Sequence, residues 1–156
     1  MAGLDGGCFC GKVRYRLTDR PMFTNCCHCT DCQVQTGGAF AINAIVEASR
    51  VEMLGEAPAP VRMRTDSGLP HDIHRCPHCQ TALWSIYGGR EQLRFMRVST
   101  LDDRHAITPD AHIFTRSKVP WVRLPEGVPA FEVYYDAKTL WPPESQARRK
   151  AALAAG

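Results

Sequence analysis

Apolar and polar residues alternate along several short stretches of the chain. The pattern is clear at Val13, Tyr15 and Leu17, and again over residues 40–46. Because successive side chains of a strand point to opposite faces, each stretch predicts a β-strand with one buried face. Further stretches of strand character cover residues 61–65, 93–98 and 131–135, and the glycine pair at residues 88–89 predicts a hairpin turn before the second of them.

Helical character is limited to two segments. Residues 30–35 predict a short helix, with Thr30 or Asp31 as its N-cap and Gly37 as its C-terminal stop. Residues 143–155 contain good helix formers but little apolar face, which predicts a helical or frayed tail. We therefore expect one mainly β domain over residues 1–140, built from small antiparallel sheets with a few short helices, and a C-terminal tail over residues 141–156.

The length and composition agree with a single globular domain. The chain has 156 residues, of which 44% are hydrophobic and 22% are charged. No apolar run approaches the roughly 20 residues that span a bilayer, and the opening MAGLDGGCFC lacks the basic start and apolar stretch of a signal peptide. We expect a cytoplasmic protein without a membrane partner.

Eight cysteines add a chemical expectation to this picture. A reducing compartment disfavours persistent disulfides, so cysteines there more often bind metal or act in catalysis. Spacings of one or two residues bring several sulfurs within reach of one ion, as in zinc ribbons. The three clusters are Cys8 with Cys10; Cys26, Cys27, Cys29 and Cys32; and Cys76 with Cys79.

The middle cluster offers more thiols than one ion needs. Cys26 and Cys27 are adjacent, so in an extended segment they point to opposite faces and one of them is surplus. Cys29 and Cys32 are spaced i and i+3 at the predicted helix start, and Cys27 can reach the same point. These three thiols leave a fourth position vacant, as in catalytic zinc sites. Closure of this site by Cys26 or by His28 stays open, although alternation turns His28 away from its neighbours.

The two outer pairs supply four further ligands. Together, Cys8, Cys10, Cys76 and Cys79 make a closed tetrahedral set, which is the structural type of zinc site. We therefore expect two Zn2+ sites, one structural and one open and possibly labile.

Five segments within residues 6–121 carry specific motifs: GGCFCGKVRYRL, CHCTDCQVQTGGAF, CPHCQTALW, STLDD and AHIFTRSKVPW. In their order and in the spacing of their cysteines they resemble the glutathione-dependent formaldehyde-activating enzyme family, also called the GFA or CENP-V-like family. The resemblance implies the Mss4-like or β-tent zinc-binding fold. It also implies structural zinc on Cys8, Cys10, Cys76 and Cys79, and catalytic zinc on Cys27, Cys29 and Cys32.

The activity implied by this resemblance is that of a carbon–sulfur lyase. The family's reaction is the reversible condensation of formaldehyde with glutathione to S-hydroxymethylglutathione, so the expected partners are a small thiol such as glutathione and an aldehyde. Gln80 stands where the family has a glycine after the second CxxC, at a position where the turn often needs a positive φ. Candidates for binding substrate carboxylates are Arg62, Arg64, Arg75, Arg116 and Lys118, although each is more often a solvated surface residue.

Two other classes of function stay open. One is a non-catalytic, zinc-organised binding module, and the other is a redox or metal sensor that uses Cys26. The formal charge of +3 favours a nucleic-acid partner only until metal is counted, because seven thiolates (−7) and two zinc ions (+4) reduce it to zero. Lysines and arginines are scattered apart from residues 148–150, so we expect no nucleic-acid partner. The sequence pattern does not indicate an oligomeric state.

Overall fold

Short β-strands make up most of the regular structure in the computed structural model, which describes residues 3–155. Residues 1, 2 and 156 fall at the outer ends of the expected domain and tail and lie outside the described part. The strands are Leu4–Gly7 (β1), Arg14–Leu17 (β2), Phe23–Cys27 (β3), Ala41–Glu47 (β4), Val51–Met53 (β5), Ala59–Met63 (β6), His71–Arg75 (β7), Ala82–Tyr87 (β8), Leu93–Arg97 (β9) and Ala111–Ile113 (β10). The α-helices are Thr30–Thr36 (α1), Ala137–Leu140 (α2) and Pro143–Ala154 (α3).

The strands form two sheets. Three strands pair in the order β1-β2-β5, and seven pair in the order β10-β3-β4-β9-β8-β7-β6. Their pairings are antiparallel except that of β10 with β3, which is parallel. The expected mainly β architecture with a few short helices is therefore confirmed, and the parallel edge is an addition to it. No helix in the described part is long and apolar enough to cross a membrane.

Strand β4 is buried on both faces and separates two hydrophobic cores. Ala44 and Val46 belong to the core that contains Tyr15, Leu17 and the small sheet. The intervening Ile45 belongs to the core on the opposite face. That second core also contains Met22, Phe23, Leu93, Tyr135 and Trp141. The sequence of β4 is almost continuously apolar, which is expected for a central strand that is covered on both faces.

The predicted strand over residues 131–135 does not form. Phe131 N–H donates to the His112 carbonyl at 2.9 Å and Phe114 N–H donates to the Val133 carbonyl at 2.7 Å, but these bonds do not extend into a ladder. The reason is local: β10 ends at Ile113, and Phe114 has a left-handed backbone with φ 55° that turns the chain away. The segment instead buries Tyr135 in the second core.

The C-terminal segment is helical and is anchored to the sheet. Arg148 of α3 forms a bidentate ion pair with Glu47, with both N–O distances at 2.8 Å. Just before α3, the ring of Trp141 stacks on Phe23 with the ring centroids 5.2 Å apart. These contacts hold α3 against the end of β4, so its position does not depend on a strongly apolar helix face.

Replacing Arg148 with Met tests this anchor. Glu47 is 8% exposed, so losing its cation leaves a largely buried carboxylate without a charged partner. We expect the free energy of unfolding to fall by about 1–3 kcal/mol, measured by urea denaturation. Lys150→Met, an exposed position on the same helix, should change stability by less than about 0.5 kcal/mol. Equal effects of the two substitutions would contradict the assigned role of the ion pair.

Candidate metal centres

Two turns from different sheets bring the outer cysteine pairs together. Cys8 and Cys10 lie in the turn between β1 and β2, and Cys76 and Cys79 lie in the turn between β7 and β8. Their four sulfurs lie within 4.8 Å of one another. The Cys8–Cys10 and Cys10–Cys76 sulfur distances are 3.4 and 3.7 Å. Sulfurs about 2.3 Å from one tetrahedral zinc are about 3.8 Å apart, so the group fits this ion.

Hydrogen bonds to two of these sulfurs favour thiolates. The Val13 N–H donates to Cys8 Sγ at 3.3 Å, and the Thr81 hydroxyl lies 3.2 Å from Cys79 Sγ. The Thr81 hydroxyl and backbone N–H lower the pKa of Cys79 to about 5. Cys76 and Cys8 are buried in the first core. A cation here would therefore join the small sheet to the large one, and Cys8 and Cys79 already favour the negative charge that it needs.

The middle cluster converges at the start of α1. Cys27 ends strand β3, Cys29 is the helix N-cap and Cys32 lies in the first helical turn. Their sulfurs lie within 4.8 Å of one another, and among the described residues no fourth cysteine, histidine or carboxylate joins the group. Cys27 is buried, whereas Cys29 and Cys32 are half-buried. The group is thus built into the protein on one side and reachable from solvent on the other.

The N-cap of α1 differs from the one expected. Cys29 has an extended backbone, and its sulfur accepts a hydrogen bond from Cys32 N–H at 3.3 Å. Thr30 and Asp31 already belong to the helix, so neither caps it. Hydrogen bonds from the Cys27 and Cys32 thiols, together with backbone N–H groups, hold the pKa of Cys29 far below its ordinary value. Gly37 ends the helix with φ 66°, as predicted.

Helix α1 buries none of its residues and is positioned by polar contacts. Gln33 Nε2 donates to the carbonyl oxygens of His28 and Ser117, each at 2.9 Å. Arg75 of β7 donates to Gln35 Oε1 at 2.8 Å. The helix that carries Cys32 is therefore held from two sides, and these contacts do not cover Cys29 and Cys32 from solvent.

A row of polar side chains crosses the sheet beside these thiols. Arg97, Asn43 and Asn25 are successive partners on β9, β4 and β3, so they lie on one face. Cys27 lies two residues beyond Asn25 on that face. The neighbouring row of register partners on the same face, two residues away along each strand, is apolar and consists of Phe95, Ile45 and Phe23. The surface beside Cys27 is therefore polar although it is buried.

Arg97 is the principal charged group of this row, and it is only 6% exposed. Its guanidinium donates to Asn43 Oδ1 and, at 3.5 Å, to Ser85 Oγ, while its Nε has no partner. Within residues 3–155 no carboxylate forms an ion pair with it. Burial lowers the pKa of Arg97, and the Cys32 and Cys27 thiols oppose this change. Arg97 therefore carries a buried positive charge on the face of the sheet that also carries Cys27.

Cys26 faces the opposite side of β3, where it meets two histidines. Its Sγ lies 3.6 Å from His28 Nε2, and His28 Nε2 lies 2.9 Å from His112 Nδ1. Cys26 and His28 are two residues apart on one face, and His112 is the register partner of Cys26 on β10. Cys26 and His28 therefore group with His112 and not with the three thiols of the middle cluster.

The three groups around Cys26 do not fit a metal as well as the two thiol clusters do. The distance between His28 and His112 is that of a hydrogen bond between neutral imidazoles, and burial lowers the pKa of both. A metal on His28 Nε2 would leave the proton on Nδ1, which is buried without an acceptor. The trio is better explained as a hydrogen-bonded imidazole pair beside a buried thiol.

The sequence-derived candidates for binding carboxylates are mostly engaged elsewhere. Arg62 forms an ion pair with Asp72, and Lys118 donates to the Val119 and Val122 carbonyls. Arg97 was not among these candidates. The sequence does carry a signal for it, because Arg97 lies within the largely apolar strand pattern LRFMRV. Burying a charged group in such a strand is costly, which indicates a functional or structural role.

The fold and the two thiol clusters together define a class, that of mainly β proteins whose cysteines can hold metal ions. Within this class, the sequence model described as "Glutathione-dependent formaldehyde-activating enzyme" (GFA) matches residues 3–117. The chain belongs to the GFA family, and the resemblance found in its motifs is confirmed.

Two individual proteins show the range of similarity. A Halomonas elongata protein described as "Putative glutathione-dependent formaldehyde-activating enzyme" is 29% identical over 126 residues, covering 78% of this chain and 80% of the relative. A crystal structure of a Rhodobacter sphaeroides protein is similar with a TM-score of 0.49 and 16% identity, covering 68% of this chain and 92% of that one.

The turn that carries Cys76 and Cys79 is strained at Gln80, and this strain can be tested by substitution. Gln80 has φ 61°, which a glycine adopts without steric cost. We expect Gln80→Gly to raise the free energy of unfolding by about 0.5–1 kcal/mol, since relief of the left-handed strain outweighs the added freedom of the unfolded chain. Urea denaturation of metal-loaded protein measures this change. Gln80→Ala keeps the Cβ and should give no such gain; a gain from both substitutions would refute the strain.

Proposed function

We propose that this protein is a zinc-dependent carbon–sulfur lyase-type enzyme that forms and cleaves the adduct of a small thiol with an aldehyde. Glutathione and formaldehyde are the substrates of this proposal, and S-hydroxymethylglutathione is the adduct. Family membership supports the reaction class, and the name of the Halomonas elongata relative supports the substrates.

One observation carries the proposal: three convergent thiols lie at the start of α1, and within residues 3–155 no fourth ligand joins their group. In zinc proteins, three protein ligands with an open position are typical of catalytic sites, and four are typical of structural sites. Zinc fits the described residues, because the thiols have the right chemistry and Arg97 supplies a buried positive charge beside them. We assign Cys27, Cys29 and Cys32 to the catalytic ion, and Cys8, Cys10, Cys76 and Cys79 to the structural one.

The reaction requires little acid–base chemistry from the protein. The substrate sulfur attacks the carbonyl carbon, a carbon–sulfur bond forms, and the π electrons move to the oxygen. The proton lost by the thiol balances the proton gained by that oxygen, so no net acid or base is consumed. When bound, zinc would act as a Lewis acid and lower the pKa of an incoming thiol.

The chain's own residues set up this site. Cys29 and Cys32 lie on the solvent-accessible side, so a small thiol can approach from there. Gln33 fixes α1 through two carbonyl oxygens, which keeps these sulfurs in one arrangement. Arg97 offsets the excess negative charge of three thiolates around a divalent ion.

The geometry gives less support to the alternative of redox sensing by Cys26. This thiol is 1% exposed, and burial raises its pKa to about 12. A sensing thiol needs thiolate character and access to oxidant, and Cys26 has neither.

Metal stoichiometry distinguishes an open site from a second structural one. Cys32 lies on a helix without buried residues, whereas Cys76 is fully buried where the two sheets meet. We expect Cys32→Ser to lose about one zinc per chain and retain its fold, and Cys76→Ser to lose most of its stability, because structural zinc contributes on the order of 10 kcal/mol. Elemental analysis and circular dichroism measure both. If Cys32→Ser unfolds as fully as Cys76→Ser, the middle site is structural.

The reaction itself is tested by NMR exchange spectroscopy of glutathione with formaldehyde. We expect zinc-loaded protein to accelerate formation and cleavage of S-hydroxymethylglutathione at least tenfold over an equal amount of Cys32→Ser, a threshold of about 1.4 kcal/mol in barrier height. Free zinc at the same concentration serves as the second control. Exchange at the rate of the controls would reject these substrates for this site.

A further inference from the structure

Arg97 has a buried donor, its Nε, that finds no hydrogen-bond partner in the described residues. A buried guanidinium normally satisfies its donors with carboxylates or carbonyl oxygens. Here two nitrogens contact the neutral acceptors Asn43 and Ser85, and Nε contacts no acceptor in the described part of the chain. The arrangement holds the charge in place without neutralising it.

The position of this charge is set by the sheet. Arg97 is the last residue of β9, and its register partner Asn43 fixes the guanidinium over β4. Ser85 of β8 contacts it from the other side. Held by two strands, the side chain has little freedom to move toward solvent, so its charge stays on the face of the sheet that carries Cys27.

A fixed cation beside a site with an open position makes that position selective. In a buried setting the Coulomb energy between unit charges is several times larger than in water. An anionic ligand gains this energy and a charge-assisted hydrogen bond, whereas a neutral ligand gains neither. The three thiolates alone would have the opposite effect, since their excess charge repels an anion.

We propose that Arg97 is the anion-recognition residue of the open position and makes it select a thiolate or another small anion over a neutral ligand. This inference rests on the proposed function, because it requires an exchangeable ligand at the three-thiol site. Arg97 is a positioning and specificity residue in this proposal; the three thiols remain the metal ligands.

Cobalt-substituted protein allows ligand affinity to be measured without catalysis. The cobalt absorption bands report ligands entering an open position, and the closed four-cysteine site contributes a constant background. The titrants are azide and 2-mercaptoethanol as anionic or ionisable ligands, and imidazole as the neutral one. The variants are Arg97→Met, Arg97→Lys and, as a matched control on the same strand, Arg94→Met, whose guanidinium donates to the Glu91 and Leu93 carbonyls.

We expect Arg97→Met to weaken azide and thiol binding by about 10- to 100-fold, the range of a hydrogen bond to a charged group. Imidazole affinity should change by less than about threefold, because a neutral ligand gains no charge-assisted hydrogen bond. Arg97→Lys should lie between, and Arg94→Met should match the parent protein.

Three other outcomes would overturn the inference. An unchanged ratio of azide to imidazole affinity in Arg97→Met would show that Arg97 does not select ligands. An equal loss of both ligands in Arg97→Met and Arg97→Lys, with circular dichroism changed, would assign Arg97 a structural role. Failure of the parent protein to bind any titrant would reject the open site itself, and with it both the inference and the proposed function.

Discussion

A strand can present only every second side chain to one face, and in β3 this constraint separates Cys26 from Cys27. Cys27 is directed toward the second core, where the turn into α1 brings Cys29 and Cys32 to it. Cys26 is directed to the other face, where its register partner is His112. One backbone geometry therefore divides a run of crowded cysteines into a convergent site and a buried neutral group. The open fourth position that we propose follows from the same division.

The two metal centres differ in what surrounds them. The four-cysteine group joins turns of two sheets, with two of its thiols in the first core, so a metal there supports the fold. In the three-thiol group only Cys27 is buried in the second core, while Cys29 and Cys32 pack against it at the start of a helix held through polar contacts. Arg97 lies on the same face of the sheet as Cys27. The proposed function thus assigns stability and ligand exchange to different centres, so that one metal could be labile while the protein stays folded.

Local features of this structure could be predicted from sequence, whereas among the long-range ones only the meeting of Cys8 and Cys10 with Cys76 and Cys79 was expected. Cysteines spaced by one or two residues converge because short turns bring them together. The left-handed backbone conformations of Gly37 and Gln80 likewise depend only on local turns. Strand β3 was missed because its FTNCC sequence is buried on both faces and shows no alternation. Arg97 was missed because its role depends on the register of β9 with β4, which local sequence does not encode.

Cadmium-113 NMR tests most directly whether one thiol centre is closed and the other is open. With cadmium bound in place of zinc, we expect two resonances, one in the range of four thiolates and one in the range of three. Addition of glutathione should shift the second and leave the first unchanged, because only the second has a position that an incoming thiolate can occupy. Two resonances that both stay unmoved by glutathione, or two in the four-thiolate range before it is added, would show that both centres are closed.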